Sequence, residues 1–164
     1  MYKLVLDADG TIKLAKAGVL ETLADNADCI LTQVVYKEIM RGKEKMYSDA
    51  FLVEELVKKG RLALAKILPV GNEDTGAGEK SALAAFKKIN ADALVTDDAR
   101  FIALLKREGV RFVIPTDVIV WLVNTGKLSK TEGINALDKM KETVRKDAYE
   151  EAVSLIRGGR KWGM

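Results

Sequence analysis

Short apolar runs alternate along the chain with longer stretches whose apolar residues recur at helical spacing. The first run, Leu4-Val5-Leu6, stops at Asp7 and is followed by Asp9-Gly10. A few apolar residues bounded by Asp and Gly predict a buried strand. Cys29-Ile30-Leu31, part of Ala65–Leu68, Ala93-Leu94-Val95 and Val110–Ile114 read in the same way. Between them the spacing predicts helices. One runs from Gly10 into Ala17, capped by Asp7 or Asp9 and ended by Gly18, and a short one covers Val19-Leu20 and Leu23-Ala24. Thr32 caps Gln33–Met40, which carries the stripe Val35, Ile39 and stops at Gly42. Phe51–Val57 ends at Gly60, and Glu79 opens a long helix with Leu83, Phe86 and Ile89 on one side. Further helices are expected over Phe101–Leu105, ended by Gly109, and over Val118–Val123 after Pro115-Thr116-Asp117. Ser129-Lys130-Thr131-Glu132 is a capping box, Ser at the cap and Glu three later, for a helix with Ile134, Leu137 and Met140. A last helix spans about Val144–Ile156. Gly71–Gly78 reads as a loop and Gly158–Trp162 as a loose basic tail.

Strands alternating with helices define an α/β protein: a three-layer α/β/α sandwich with a mainly parallel central sheet. Its 164 residues, 48% hydrophobic and 31% charged, suit one domain with a real core. The expected division is a main body over 1–142 and, in the same domain, a C-terminal helix and tail over 143–164. No apolar run approaches a membrane span, and Met1 leads straight into a strand without a signal-like segment. A cytoplasmic setting is expected, with the single Cys29 as a buried free thiol.

The missing residue types narrow the chemistry. There is no histidine, which excludes a His-based triad; with one cysteine, ordinary zinc sites are excluded too. Acid–base work falls to Asp, Glu, Lys, Tyr or a metal-associated water. The net charge of +3 is too even to indicate nucleic acid alone.

Acids occur where such a fold puts its ligands. Asp7 ends the first strand, Glu38 lies on the helix after the second, Glu79 starts the helix after the glycine-rich segment, and Asp97-Asp98 end a later strand. In open α/β sheets, ligands sit beyond the carboxyl ends of the strands. Carboxylates gathered there repel one another unless a cation joins them. All-oxygen donors then point to Mg²⁺ or Mn²⁺. Each position has a plain competing reading: Asp7 and one of Asp97-Asp98 as helix caps, Glu38 as a solvated helix residue, Glu79 as an acid favoured by the helix dipole. The joint pattern favours the site.

Four blocks carry a family resemblance: Leu4-Val5-Leu6-Asp7; Leu31-Thr32-Gln33-Val34-Val35-Tyr36-Lys37-Glu38-Ile39; Gly78-Glu79-Lys80-Ser81-Ala82-Leu83-Ala84; and Leu94-Val95-Thr96-Asp97-Asp98-Ala99-Arg100. In this order, over roughly Tyr2 to Leu137, the chain resembles the PIN-domain ribonucleases. The resemblance implies a PIN-like fold and metal-dependent endonucleolytic cleavage of RNA. It implies Asp7, Glu38, Glu79, Asp97 and Asp98 as metal-binding acids, with Asp7, Glu38, Asp97 and Asp98 as the catalytic set and Mg²⁺ or Mn²⁺ as cofactor. Thr96 and Arg100 are candidate RNA contacts. By resemblance, too, the partners would be RNA, an antitoxin protein if the chain is the toxin of a toxin–antitoxin pair, and a second copy in a homodimer, with no membrane. Asp9 departs from the family pattern, which usually has Ser, Thr or Asn there.

Two rival readings stand beside this one. Asp7-Ala8-Asp9-Gly10-Thr11 also resembles the first motif of haloacid-dehalogenase-like phosphatases, with Asp7 as nucleophile and Asp9 as general acid. Against it, that fold normally spans more residues, Glu38 and Gly78-Glu79 would have no role, and the helical C-terminal third fits the ribonuclease plan better. The other rival is a PIN-like module that binds without catalysing, against which stands the full acidic set.

Overall fold

A computed structural model describes residues 1–67 and 76–158. Five strands, β1 (Lys3–Leu6), β2 (Asp28–Thr32), β3 (Ala63–Ala65), β4 (Ala93–Val95) and β5 (Phe112–Val113), form one sheet in the order β3-β2-β1-β4-β5. Every pairing is parallel; Val5 lies opposite Ile30 on one side and Leu94 on the other. Nine helices are present among the described residues: α1 (Ala8–Lys16), α2 (Leu20–Asn26), α3 (Gln33–Glu44), α4 (Ser48–Lys58), α5 (Ala77–Ile89), α6 (Ala99–Arg107), α7 (Pro115–Asn124), α8 (Lys130–Met140) and α9 (Lys146–Arg157).

The two-residue period of the strands divides the core. Leu4, Leu6, Cys29, Leu31, Ala93 and Val95 face the layer built from α1–α4 and α7–α9. Val5, Ile30 and Leu94 face the opposite layer, where α5 contributes Ala82 and Ala85 and α6 contributes Phe101 and Leu105. Both faces are covered, as a parallel sheet requires. The expected three-layer α/β/α architecture is therefore what forms. Helix α9 closes on α7 and α8 through Ala152 and Ile156.

Several boundaries differ from the sequence expectation for local reasons. Helix α3 runs past Gly42, which leaves room for the Tyr47 ring; a Cβ there would lie 3.1 Å from Tyr47 Cδ2. The third strand sits at Ala63–Ala65 instead of within Ala65–Leu68, and Leu68 falls outside the described residues. The loop expected over Gly71–Gly78 falls outside them for 71–75, and Gly78 is already inside α5. The last strand contracts from Val110–Ile114 because Val110 N–H bonds back to Leu105 and Ile114 caps the next helix ahead of Pro115. The tail from residue 159 onward lies outside the described residues. Cys29 is the buried free thiol expected, its pKa pushed up to about 12 by burial and then by Asp28. No described helix is long and apolar enough to cross a membrane. Of the apolar residues of Phe51–Val57, Leu56 is fully buried and Leu52 and Val57 pack on the core, while Phe51 stays exposed beside Met46 and Tyr47.

The tightest helix contact is at Gly133 of α8, where an added Cβ would overlap Val123 Cγ2 and lie 3.2 Å from Ile156 Cδ1. Gly133→Val is therefore expected to cost about 2–3 kcal/mol by overpacking, read as a lower urea midpoint with an unchanged m-value.

Candidate active site

The strand order reverses at β1: the chain builds outward through β2 and β3, then α5 carries it back across the sheet to β4 on the other side. The crevice between the carboxyl ends of β1 and β4 is the topological switch point, where open α/β sheets place their ligands. Asp7 stands at its centre, one residue past β1, and its own N–H bonds to Val95 O of β4.

Asp7 is 4% exposed. Its Oδ1 accepts the Gly10 N–H at 2.7 Å, which makes it the cap of α1, and its Oδ2 accepts the hydroxyl of Thr96. Burial, then the Asp9 and Glu79 charges, raise the Asp7 pKa to about 7 against these two hydrogen bonds. Gly10 is needed for the approach: a Cβ there would lie 2.9 Å from Asp7 Oδ1 and 3.0 Å from Val95 O. Thr96 is wholly buried, its hydroxyl committed to Asp7 and to the Asp98 N–H. It lies beneath the acid as an orienting group, its side chain fully buried.

Glu38 and Glu79 arrive on α3 and α5. Glu38 packs against the start of α5 because Gly78, its second residue, has no side chain: a Cβ there would sit 2.5 Å from Glu38 Oε1. A buried hydroxyl chain fixes the two helices. Thr32 caps α3 by accepting the Val35 N–H, bonds Ser81 Oγ at 2.6 Å, and Ser81 donates to Gly78 O at 2.8 Å. Glu79 Oε2 also accepts the Gly76 N–H at the start of its own helix. Its pKa is raised by burial first, and by Asp98 and Glu38, while Arg100 and the Gly76 bond pull it down. Glu79 is thus within electrostatic reach of Asp7, Glu38, Asp98 and Arg100.

The adjacent acids after β4 separate. Asp97 turns to Lys13 of α1, with Nζ–Oδ2 at 2.7 Å, and the same ammonium reaches Asp9 at 3.0 Å. Asp97 and Lys13 are 9% and 14% exposed. Asp98 turns the other way, into the groove lined by Glu79 and Arg100, while its Oδ1 caps α6 by accepting the Phe101 N–H. Asp9 stays within the first turn of α1, drawn to Lys13.

The structure thus brings Asp7, Glu38, Glu79 and Asp98 to one edge, with Arg100 beside them, and sets Asp97 against a lysine. Lys13, Ser81, Gly10 and Gly78 have positioning roles that the sequence pattern does not reveal; the Asp9–Lys13 spacing of four was the one available signal. The donor set is all carboxylate oxygen, which fits a hard divalent cation. Burial first, and neighbouring carboxylates after it, raise the pKa values of Asp7 and Glu79. Among the described residues, no three acids stand close enough together to hold an ion.

A parallel α/β/α domain with carboxylates at its switch point is the general class defined by these features. The family model described as PIN domain matches residues 3–157, and the chain belongs to that family. No curated protein matches the chain.

Two outcomes follow from this geometry. The folded state holds the Asp7 proton up to about pH 7, against about pH 4 when unfolded, so this group's contribution to stability falls as pH rises through that window. In EDTA, Asp7→Asn removes the slope, and its stability relative to the native chain should improve by about 2 kcal/mol between pH 5 and pH 8 in urea titrations. Gly78→Ala should push Glu38 away and lower divalent-ion affinity at least about tenfold by calorimetry, one hydrogen-bond-sized interaction being worth about that much.

Proposed function

We propose that this protein is a ribonuclease that hydrolyses RNA phosphodiester bonds with Mg²⁺ or Mn²⁺. The observation that carries the reading is the placement of Asp7, Glu38, Glu79 and Asp98 along one edge at the switch point of a PIN-domain fold, within electrostatic reach of one another through Glu79. Asp7, Glu38 and Asp98 would hold the cation, with Glu79 adjacent. When bound, such an ion acidifies water and offsets charge on a phosphate under attack.

The chain's own residues supply the rest. Thr96 and Gly10 hold both Asp7 oxygens in fixed directions, leaving each with a further lone pair for a ligand. Asp98 has one oxygen tied to α6 and no hydrogen-bond donor on the other among the described residues. Glu79, its pKa raised by burial and neighbouring acids, is suited to accept the proton of the attacking water. Arg100, exposed beside Glu79, faces the position of a substrate phosphate. Asp97, paired with Lys13, holds the loop after β4 and orients its neighbour Asp98 instead of binding the ion.

The finer assignments are proposals as well: an RNA substrate, a toxin's role with an antitoxin partner, a homodimer, and a cytoplasmic setting. The pairing of Asp9 with Lys13 disfavours the phosphatase reading, in which Asp9 would serve as the general acid.

The test is cleavage of a labelled single-stranded RNA with Mn²⁺, beside p-nitrophenyl phosphate. RNA cleavage is expected to vanish in EDTA. It should fall by about 10²-fold or more in Asp7→Asn and Asp98→Asn, and by about tenfold in Asp97→Asn, since a loss of metal ligation exceeds a loss of positioning. Phosphate release from the small ester, sensitive to Asp9→Asn, would establish the phosphatase instead. Neither activity, together with no Mn²⁺ binding, would favour a binding module.

A further inference from the structure

The acidic edge opens on one flank of α6 into a groove of about 450 Å³. Glu79 and Asp98 stand at one end. Along α6 the lining continues with Arg100, Ala103, Leu104 and Arg107. That spacing of three, four and seven puts all four on one helix face. Arg100 and Arg107 are both exposed. The ion pairs of the described residues engage Arg61 and Arg145 but neither of these two.

Seven residues of helix separate the backbone positions of the two arginines by about 10.5 Å along the axis. A stacked nucleic-acid strand advances about 3.4 Å per nucleotide, so the two arginines span about three nucleotides at most. Between them, Ala103 and Leu104 offer an apolar strip where a sugar or base can rest between two phosphates. The opposite flank of α6 has the same balance of two acids and two cations, Asp97 and Asp117 with Lys106 and Arg145, but its cations are engaged: Lys106 lies 6.0 Å over the Phe112 ring and Arg145 3.6 Å from Asp147.

We propose that the Arg100–Arg107 face of α6 is the track for the single-stranded flank of the substrate, with Arg107 gripping a backbone phosphate two or three nucleotides from the bond that is cut. This rests on the ribonuclease reading and adds to it a direction: the strand leaves the acids along α6, on the flank of Asp98 and away from that of Asp97. Arg107 binds and does not react. Its loss weakens affinity and leaves the chemical step intact.

The experiment uses single-stranded oligoribonucleotides of two to ten nucleotides with Mn²⁺. Binding is followed by fluorescence anisotropy in an Asp98→Asn background, and cleavage in the native background. Arg107→Ala is compared with Arg107→Lys and with Lys88→Ala, which removes one exposed charge from the far end of α5. Arg107→Ala should weaken binding about 5–10-fold, and lower the slope of log affinity against log salt by about 0.7, for oligonucleotides long enough to span the groove. The shortest should bind equally to both proteins. In cleavage, KM should rise with kcat unchanged, and Arg107→Lys should restore the salt slope. If the native chain binds and cleaves RNA while Arg107→Ala matches Lys88→Ala at every length, the track is wrong and the ribonuclease reading stands. If the native chain neither binds nor cleaves any of them, both fall.

Discussion

A carboxylate held out of water at the end of the central strand is the constraint around which the switch point is built. Moving an acid into an apolar surround disfavours its charged form. Asp7 is nonetheless placed there, 4% exposed, with one oxygen capping α1 and the other receiving Thr96. Its neighbours accommodate it in turn. Gly10 must lack a side chain for the cap to form, and Thr96 must stay buried with its hydroxyl directed inward. Such an arrangement costs stability in the isolated domain.

The remaining acids are sorted by what faces them. Lys13 draws Asp97 and Asp9 to one side and satisfies both. Glu38, Glu79 and Asp98 have no comparable ion pair among the described residues and lie within electrostatic reach of one another through Glu79. The five acids around Asp7 thus divide into a pair held by one lysine and a group of three without such a partner among the described residues. The hydroxyl chain through Thr32 and Ser81 gives this sorting its rigidity, because it ties the starts of α3 and α5 together where Gly78 admits Glu38.

Much of this architecture is legible in the residues. Runs such as Leu4–Leu6 and Ala93–Val95 are short, apolar and bounded by turn formers, so period and punctuation agree. The Ser129 box is local chemistry and forms as read. The misplaced elements are those decided by contacts distant in sequence. Ala63–Ala65 is a mostly exposed edge segment that becomes a strand by pairing with β2. Helix α3 ignores Gly42 because Tyr47 packs against the bare backbone. At the site, the acids are conspicuous by type and position. The choice between Asp97 and Asp98 depends on Lys13, a residue 84 positions away from Asp97. Gly10 and Gly78 look like helix-start glycines, and the carboxylates pressed against them belong to the tertiary fold.

The order of the strands also sets when the cluster can exist. Asp7 comes from the first strand, but its partner Thr96 and the neighbouring Asp98 follow the fourth, and β4 cannot dock until the long crossover through α5 is in place. During synthesis at about 5–20 residues per second, the first acid waits on the order of ten seconds for the last. Until then it has neither the hydroxyl that orients it nor the carboxylates that share its charge. The cluster is therefore incomplete in the emerging chain, and in any fragment that stops short of β4. It assembles only once synthesis has passed Asp98, well beyond the midpoint of the 164 residues.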